Sequence, residues 1–80
     1  MNVRISKKSS TYEFTVDFSS AMTATLFYGY LLTNKISSNI ENSKVIFQTS
    51  KKNKGNNLIN QFATMNPMIN LTIINECKNC

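Results

Sequence analysis

Seventeen consecutive residues, Phe18 to Asn34, carry no charge, and they follow directly on a strict alternation of Tyr12, Phe14, Val16 and Phe18 with Glu13, Thr15 and Asp17. This junction constrains the fold more than any other part of the chain. Period-two alternation of β-favouring residues describes a strand with one buried face. In the uncharged stretch, Ser19 and Ser20 suit a helix N-cap, and Ala21, Ala24, Thr25, Tyr28, Leu31 and Leu32 recur at helical spacing. The spacing predicts a helix running to about Asn34. Met22, Leu26, Phe27 and Tyr30 fall off that face, so the helix is apolar on more than one side and either meets a second surface or presents an exposed patch. The stretch is shorter than the roughly 20 apolar residues of a bilayer span and is broken by Ser and Thr, so it reads as a core helix. Gly29, in mid-helix at a cost of ~1 kcal/mol relative to Ala, is expected to mark close packing.

Eighty residues make one small domain. Residues 1–10, with Arg4, Lys7 and Lys8 and only Val3 and Ile5 alternating, read as a basic N-terminal extension or short edge strand. Ile36–Glu41 and Lys44–Ser50, around an Asn42-Ser43 turn, read as a hairpin. Lys51 to Asn56 reads as a polar loop, with Asn56 or Asn57 capping a short helix through Leu58, Ile59, Phe62, Ala63 and Met65 that ends before Pro67. Met68 to Asn75 reads as a last strand, and residues 76–80 as a frayed tail. The expected fold is therefore α+β, an open-faced sandwich of four strands with two helices on one face, in the order βαββαβ.

Composition excludes much chemistry. The chain has no histidine, which removes the commonest general base and metal ligand, and Glu13, Asp17, Glu41 and Glu76 are too dispersed for paired-carboxylate catalysis. No enzyme activity and no cofactor are expected. Cys77 and Cys80 have CxxC spacing, but a structural zinc site wants four ligands and no second pair exists, so the pair reads as an unstructured tail and no metal is assigned. Arg4, Lys7 and Lys8 lead into Ser9, Ser10 and Thr11 and not into an apolar segment, so no leader is expected, and the cysteine usage points to a reducing cytoplasm.

The net charge of +5 comes with only 16% charged residues, since twelve asparagines supply much of the polarity. Lys51, Lys52 and Lys54, with the N-terminal basic residues, would track phosphates through counterion release. Nucleic-acid modules also expose aromatics for stacking, whereas Tyr12, Phe14, Phe47 and Phe62 sit at core positions of the pattern.

The stretch Tyr12 to Asp17, a short turn, and then Ala21, Ala24 and Thr25 resembles the start of HPr, the phosphocarrier of the bacterial sugar phosphotransferase system. There a first strand leads into a His-Ala-Arg-Pro-Ala-Thr motif at a helix start. The βαββαβ order matches as well. On this alignment the phosphorylated histidine falls at Ser20, the phosphate-clamping arginine at Met22 and the proline at Thr23, so the resemblance implies a degenerate member without phosphocarrier activity. It implies a regulatory, protein-binding role in which Ser19, Ser20, Met22 and Thr23 mark the partner surface, Phe27 and Tyr30 add apolar contacts, and Ser50 is a candidate phosphorylation site. The alternatives are a small nucleic-acid binder using Lys51, Lys52 and Lys54, and a self-associating domain, for which a homodimer would be the signature.

Overall fold

The computed structural model describes residues 2–66 and 77–78. The order of elements is β1 (Asn2–Lys8), β2 (Thr11–Asp17), α1 (Ala21–Thr33), β3 (Ser38–Glu41), β4 (Lys44–Thr49), α2 (Lys52–Met65) and a two-residue β5 (Cys77–Lys78). Hydrogen bonding orders the sheet β3-β4-β2-β1-β5. The first four strands are antiparallel, and β5 joins β1 in parallel. The class is α+β as expected, and the elements run ββαββαβ, with one strand ahead of the expected βαββαβ series.

The difference begins at the N-terminus. Of the two readings of residues 1–10, the strand is what forms: residues 2–8 pair along their whole length with β2, and β5 on the other side makes it an inner strand and not an edge. Val3 and Ile5 are fully buried, and Lys7, next on the same face, holds its ammonium 5.8 Å from the centre of the Tyr12 ring. Two apolar positions make a weak alternation, and the strand owes its place to the hairpin partner opposite, Val3 facing Val16 and Ile5 facing Phe14. The strand expected over 68–75 lies outside the described residues. β5 falls within what reads in sequence as a tail.

Register aligns the buried residues in rows across the sheet, Val3-Val16-Val45 and Ile5-Phe14-Phe47. Ala24, Phe27 and Leu31 of α1 and Leu58, Ile59 and Phe62 of α2 join them in one core, so both helices cover the same face. Each such large apolar side chain contributes about 1.5–3 kcal/mol by leaving water. The opposite face carries polar rows such as Asn2-Asp17-Lys44-Glu41 and faces solvent.

Two helix boundaries position the surface of the domain. α1 ends in a Schellman motif, with Ile36 N–H donating to Leu31 O at 2.9 Å and Lys35 N–H to Leu32 O at 3.0 Å. Lys35 holds the left-handed conformation (φ 60°) that usually goes to glycine, and Ile36 packs back on the core. α2 begins at Lys52, so the loop expected over 51–56 is instead the first turn and more of the helix. Its sequence hides this start, because Lys51 stands at the cap position without a side-chain cap bond and glycine and asparagine favour helix poorly. Burial decides the matter: Gly55 lies directly against the Phe14 ring.

Candidate functional site

The candidate surface is the outer side of α1. Aromatic packing sets which side that is. Phe27 lies at the centre of a cluster, its ring 4.9 Å from Phe62, 5.2 Å from Phe18 and 5.8 Å from Phe47, and it is wholly buried. This rotates the helix away from the face that spacing predicts. Thr25 and Leu32 point outward, and Phe27, assigned from sequence to a partner contact, is a core residue. Tyr30 also fails as a free contact, since its ring packs on Phe27 and Phe62 and its hydroxyl donates to Gln61 Oε1 at 2.9 Å, closing the seam between the helices.

What remains outside is chemically uniform. Met22 (77% exposed), Leu26 (56%) and Leu32 (54%) are large apolar groups in solvent, and Thr25, Gly29 and Thr33 lie exposed between them. Thr25 Oγ1 donates to Ala21 O at 2.9 Å and Thr33 Oγ1 to Gly29 O at 3.0 Å, so both hydroxyl protons are already engaged within the helix. No charge interrupts the face. Among the described residues Gly29 does not mark close packing, because none of them lies within 4 Å of where its Cβ would stand.

The N-terminal end of α1 is held in place by its own hydrogen bonds. Ser20 Oγ accepts from Thr23 N–H at 3.4 Å, and Ser20 O accepts from Ala24 N–H at 3.0 Å, which makes Ser20 the N-cap. Ser19, exposed at φ 57°, donates its N–H to Asp17 Oδ1 at 3.0 Å, and Ser43 Oγ donates to the same oxygen at 3.1 Å. The Ser19 N–H and, secondarily, the Ser43 hydroxyl and nearby Lys44 hold the Asp17 carboxyl below its ordinary pKa of 3.8, against a smaller opposing effect of desolvation. Thus Ser19, Ser20, Met22 and Thr23 do come together, but the serines serve the turn and the cap.

Ser50 is exposed between β4 and the α2 cap position, and not separated from the helix by a loop. Lys51, Lys52 and Lys54 gather at that helix start, where no acidic residue and no side-chain cap offset them. Among the described residues the one ion pair, Lys8 with Glu13 at 3.3 Å, lies elsewhere.

Two of the concavities among the described residues lie near the helices and β3. One, of about 490 Å³, lies where β3 leaves β4 and is bordered by Lys35, Ser38, Gln48 and Ser50; Ser38 Oγ nearby is buried and has no hydrogen-bond partner among the described residues. The other, of about 540 Å³, runs between the helices beside Tyr30, Asn57, Gln61 and Met65. Among the described residues no three His, Cys, Asp or Glu side chains gather as metal ligands would, and no helix is long and apolar enough to cross a membrane. The Cys80 end of the CxxC pair and the Cys77 side chain lie outside what is described. No protein-family model, no curated protein and no solved structure matches this chain.

Proposed function

We propose that this chain is a non-enzymatic protein-binding module whose contact surface is the outer face of α1. One observation carries the reading: three large apolar side chains, Met22, Leu26 and Leu32, stand in water on a single uncharged helix face. A single exposed apolar residue needs no explanation, but three large ones on one uncharged helix face of a small domain support an interaction site. The HPr resemblance adds little to this. Its βαββαβ series is here preceded by a further strand that forms a hairpin with β2, and Ser20, at the phosphoacceptor position, is a helix cap. The regulatory role and the modification of Ser50 stay as proposals that this reading does not require.

The test is a photoreactive side chain at Leu26, with a second placed at Asn39 on the opposite face of the sheet. A discrete adduct with another polypeptide at Leu26, absent at Asn39 and lost on Met22→Lys, supports the reading. Equal labelling at both positions, or none at Leu26, refutes it.

A second reading rests on a different observation. The start of α2 combines free backbone N–H groups, the positive end of the helix dipole and Lys51, Lys52 and Lys54, with no cap to offset them. Such a site favours a polyanion. Retention on heparin that falls with salt and is lost on neutralising the three lysines would support it, and salt-insensitive retention would count against it.

A further inference from the structure

We propose that the basic end of the sheet, where β1 and β4 finish and α2 starts, binds the phosphate backbone of double-stranded nucleic acid without reading its sequence. The proposal rests on the second reading above for the lysines of α2, extends that site to other elements and names the polyanion.

Topology sorts the charges of this protein by end. β1 and β4 run in the same direction, because each is antiparallel to β2 between them. Their last residues therefore lie together. Lys7, Tyr12 and Thr49 form one row across the three strands, and the Thr49 hydroxyl donates to Lys51 O at 2.7 Å, which ties the start of α2 to that row. Lys35 joins from the β3 side, since it borders the concavity that also touches Thr11, Thr49 and Ser50. Lys7, Lys8, Lys35, Lys51, Lys52 and Lys54 thus share one end with a single described acidic residue, Glu13, which Lys8 engages at 3.3 Å. Among the described residues the other five lysines form no ion pair. The opposite end is balanced, with Arg4 and Lys44 set beside Asp17 and Glu41. An excess of positive charge confined to one end creates a field that steers a polyanion to it.

The chemistry of this end selects among polyanions. All six cations are lysines. An acidic peptide is matched best by the two-pronged guanidinium of arginine, whereas lysine serves phosphate as a point charge. Ser9, Ser10, Ser50 and Asn53, all exposed beside lysines in the chain, are neutral donors of the kind that hold phosphate oxygens. An anionic bilayer also presents phosphates, but binding at its surface draws on large apolar groups that enter the interface. Among the described residues, no large apolar side chain stands exposed on β1, β2, β4 or the first half of α2.

The aromatic content decides between one strand and two. Single strands are held by stacking their bases on open aromatic faces. Tyr12 is the one aromatic in the end row, and it packs on the core while Lys7 holds its ammonium 5.8 Å from the ring centre. With that ring occupied, the surface suits the regular phosphates of a duplex. Sequence-independent contacts of this kind give dissociation constants of about 1–100 µM at physiological salt. If about three to five lysines each neutralise a phosphate, the logarithm of affinity falls with the logarithm of salt with a slope of about −3 to −4.5.

Fluorescence anisotropy of a labelled DNA duplex of about 20 base pairs, titrated with the full chain at several salt concentrations, tests this. Binding is expected in that range and with that slope. Lys7→Gln combined with Lys35→Gln should weaken it at least ~tenfold and make the slope shallower by about 1–2, and neutralising Lys51, Lys52 and Lys54 should do at least as much. Arg4→Gln combined with Lys44→Gln removes the same charge from the opposite end and should cost less than about threefold. None of these side chains is buried, and circular dichroism verifies that each variant folds. Equal weakening by the two double substitutions, no binding up to ~1 mM, or tighter binding to polyglutamate or to phosphatidylserine vesicles than to the duplex overturns the proposal. Heparin separates it from the reading on which it rests. Retention on heparin that depends on the α2 lysines, without duplex binding, keeps the anion site and removes the nucleic acid. No retention and no duplex binding removes both.

Discussion

Two glycine-to-alanine substitutions, one in each helix, should move stability in opposite directions. In a helix interior alanine is favoured over glycine by about 1 kcal/mol. At Gly29 none of the described residues stands in the way, so Gly29→Ala should realise about 0.5–1 kcal/mol of that difference. At about 4–8 °C per kcal/mol for a domain of this size, the melting temperature rises by roughly 2–8 °C. At Gly55 the added Cβ would overlap Cε1 and Cζ of Phe14 and stand 2.9 Å from its Cδ1. The ring has no room to retreat, because Phe14 is fully buried and stacked on Phe47 at 5.0 Å and 9°. Overpacking of this kind costs about 1–3 kcal/mol, and steric overlap with a confined ring belongs at the upper end. After subtracting the propensity gain, Gly55→Ala should destabilise by about 2 kcal/mol and lower the melting temperature by roughly 8–16 °C. Thermal and urea unfolding followed by circular dichroism measure both. Phe14→Leu combined with Gly55→Ala should recover part of the loss, with a coupling of about 1 kcal/mol, because the two side chains share one space. If Gly55→Ala is as stable as the wild type, α2 does not lie against Phe14 and its early start has no packing cause.

Four further outcomes rest on the same geometry. Phe27→Ala, which empties the centre of the aromatic cluster, should cost about 3–5 kcal/mol and leave little or no cooperative unfolding transition in urea. Lys35→Gly should stabilise by about 1 kcal/mol, because Lys35 holds the left-handed backbone of the Schellman motif; an unchanged urea midpoint would contradict that conformation. Lys51→Asp should add about 1 kcal/mol by supplying the missing cap of α2 and a favourable charge at its positive end, read as a raised urea midpoint. The Asp17 carboxyl, with its pKa held below 3.8, contributes stability that is present above that value and is lost as pH falls through the lower folded value. Urea midpoints between pH 5 and pH 2 should therefore fall more steeply for the wild type than for Asp17→Asn.

Where the sequence pattern is strong, the structure follows it. The alternation from Tyr12 to Asp17 is a strand, the Asn42-Ser43 turn joins two strands, and Ser20 caps α1. The face of α1 is not legible in the sequence, because a helix that is apolar nearly all round has no preferred side until something packs on it. Phe27 turns inward because Phe18, Phe47 and Phe62 converge there. The candidate surface shifts accordingly, from Phe27 and Tyr30 to Leu26 and Leu32. Of the partner residues that the sequence suggests, only Met22 is also strongly exposed on the uncharged outer stripe. The absence of charge from Phe18 to Asn34 is the one sequence signal that locates this stripe.

The α+β class, the β2–α1 junction and the β3–β4 hairpin are written in the amino-acid order, because each depends on local periodicity, a cap or a turn. Tertiary structure decides the rest. β1 is a strand because β2 offers it a partner in register, α2 starts at Lys52 because Gly55 fits under Phe14, and α1 exposes Leu26 because Phe27 has a pocket of rings to fill. In each case the local propensity is weak or evenly divided, and burial against residues distant in the chain, worth several times more than propensity, makes the choice.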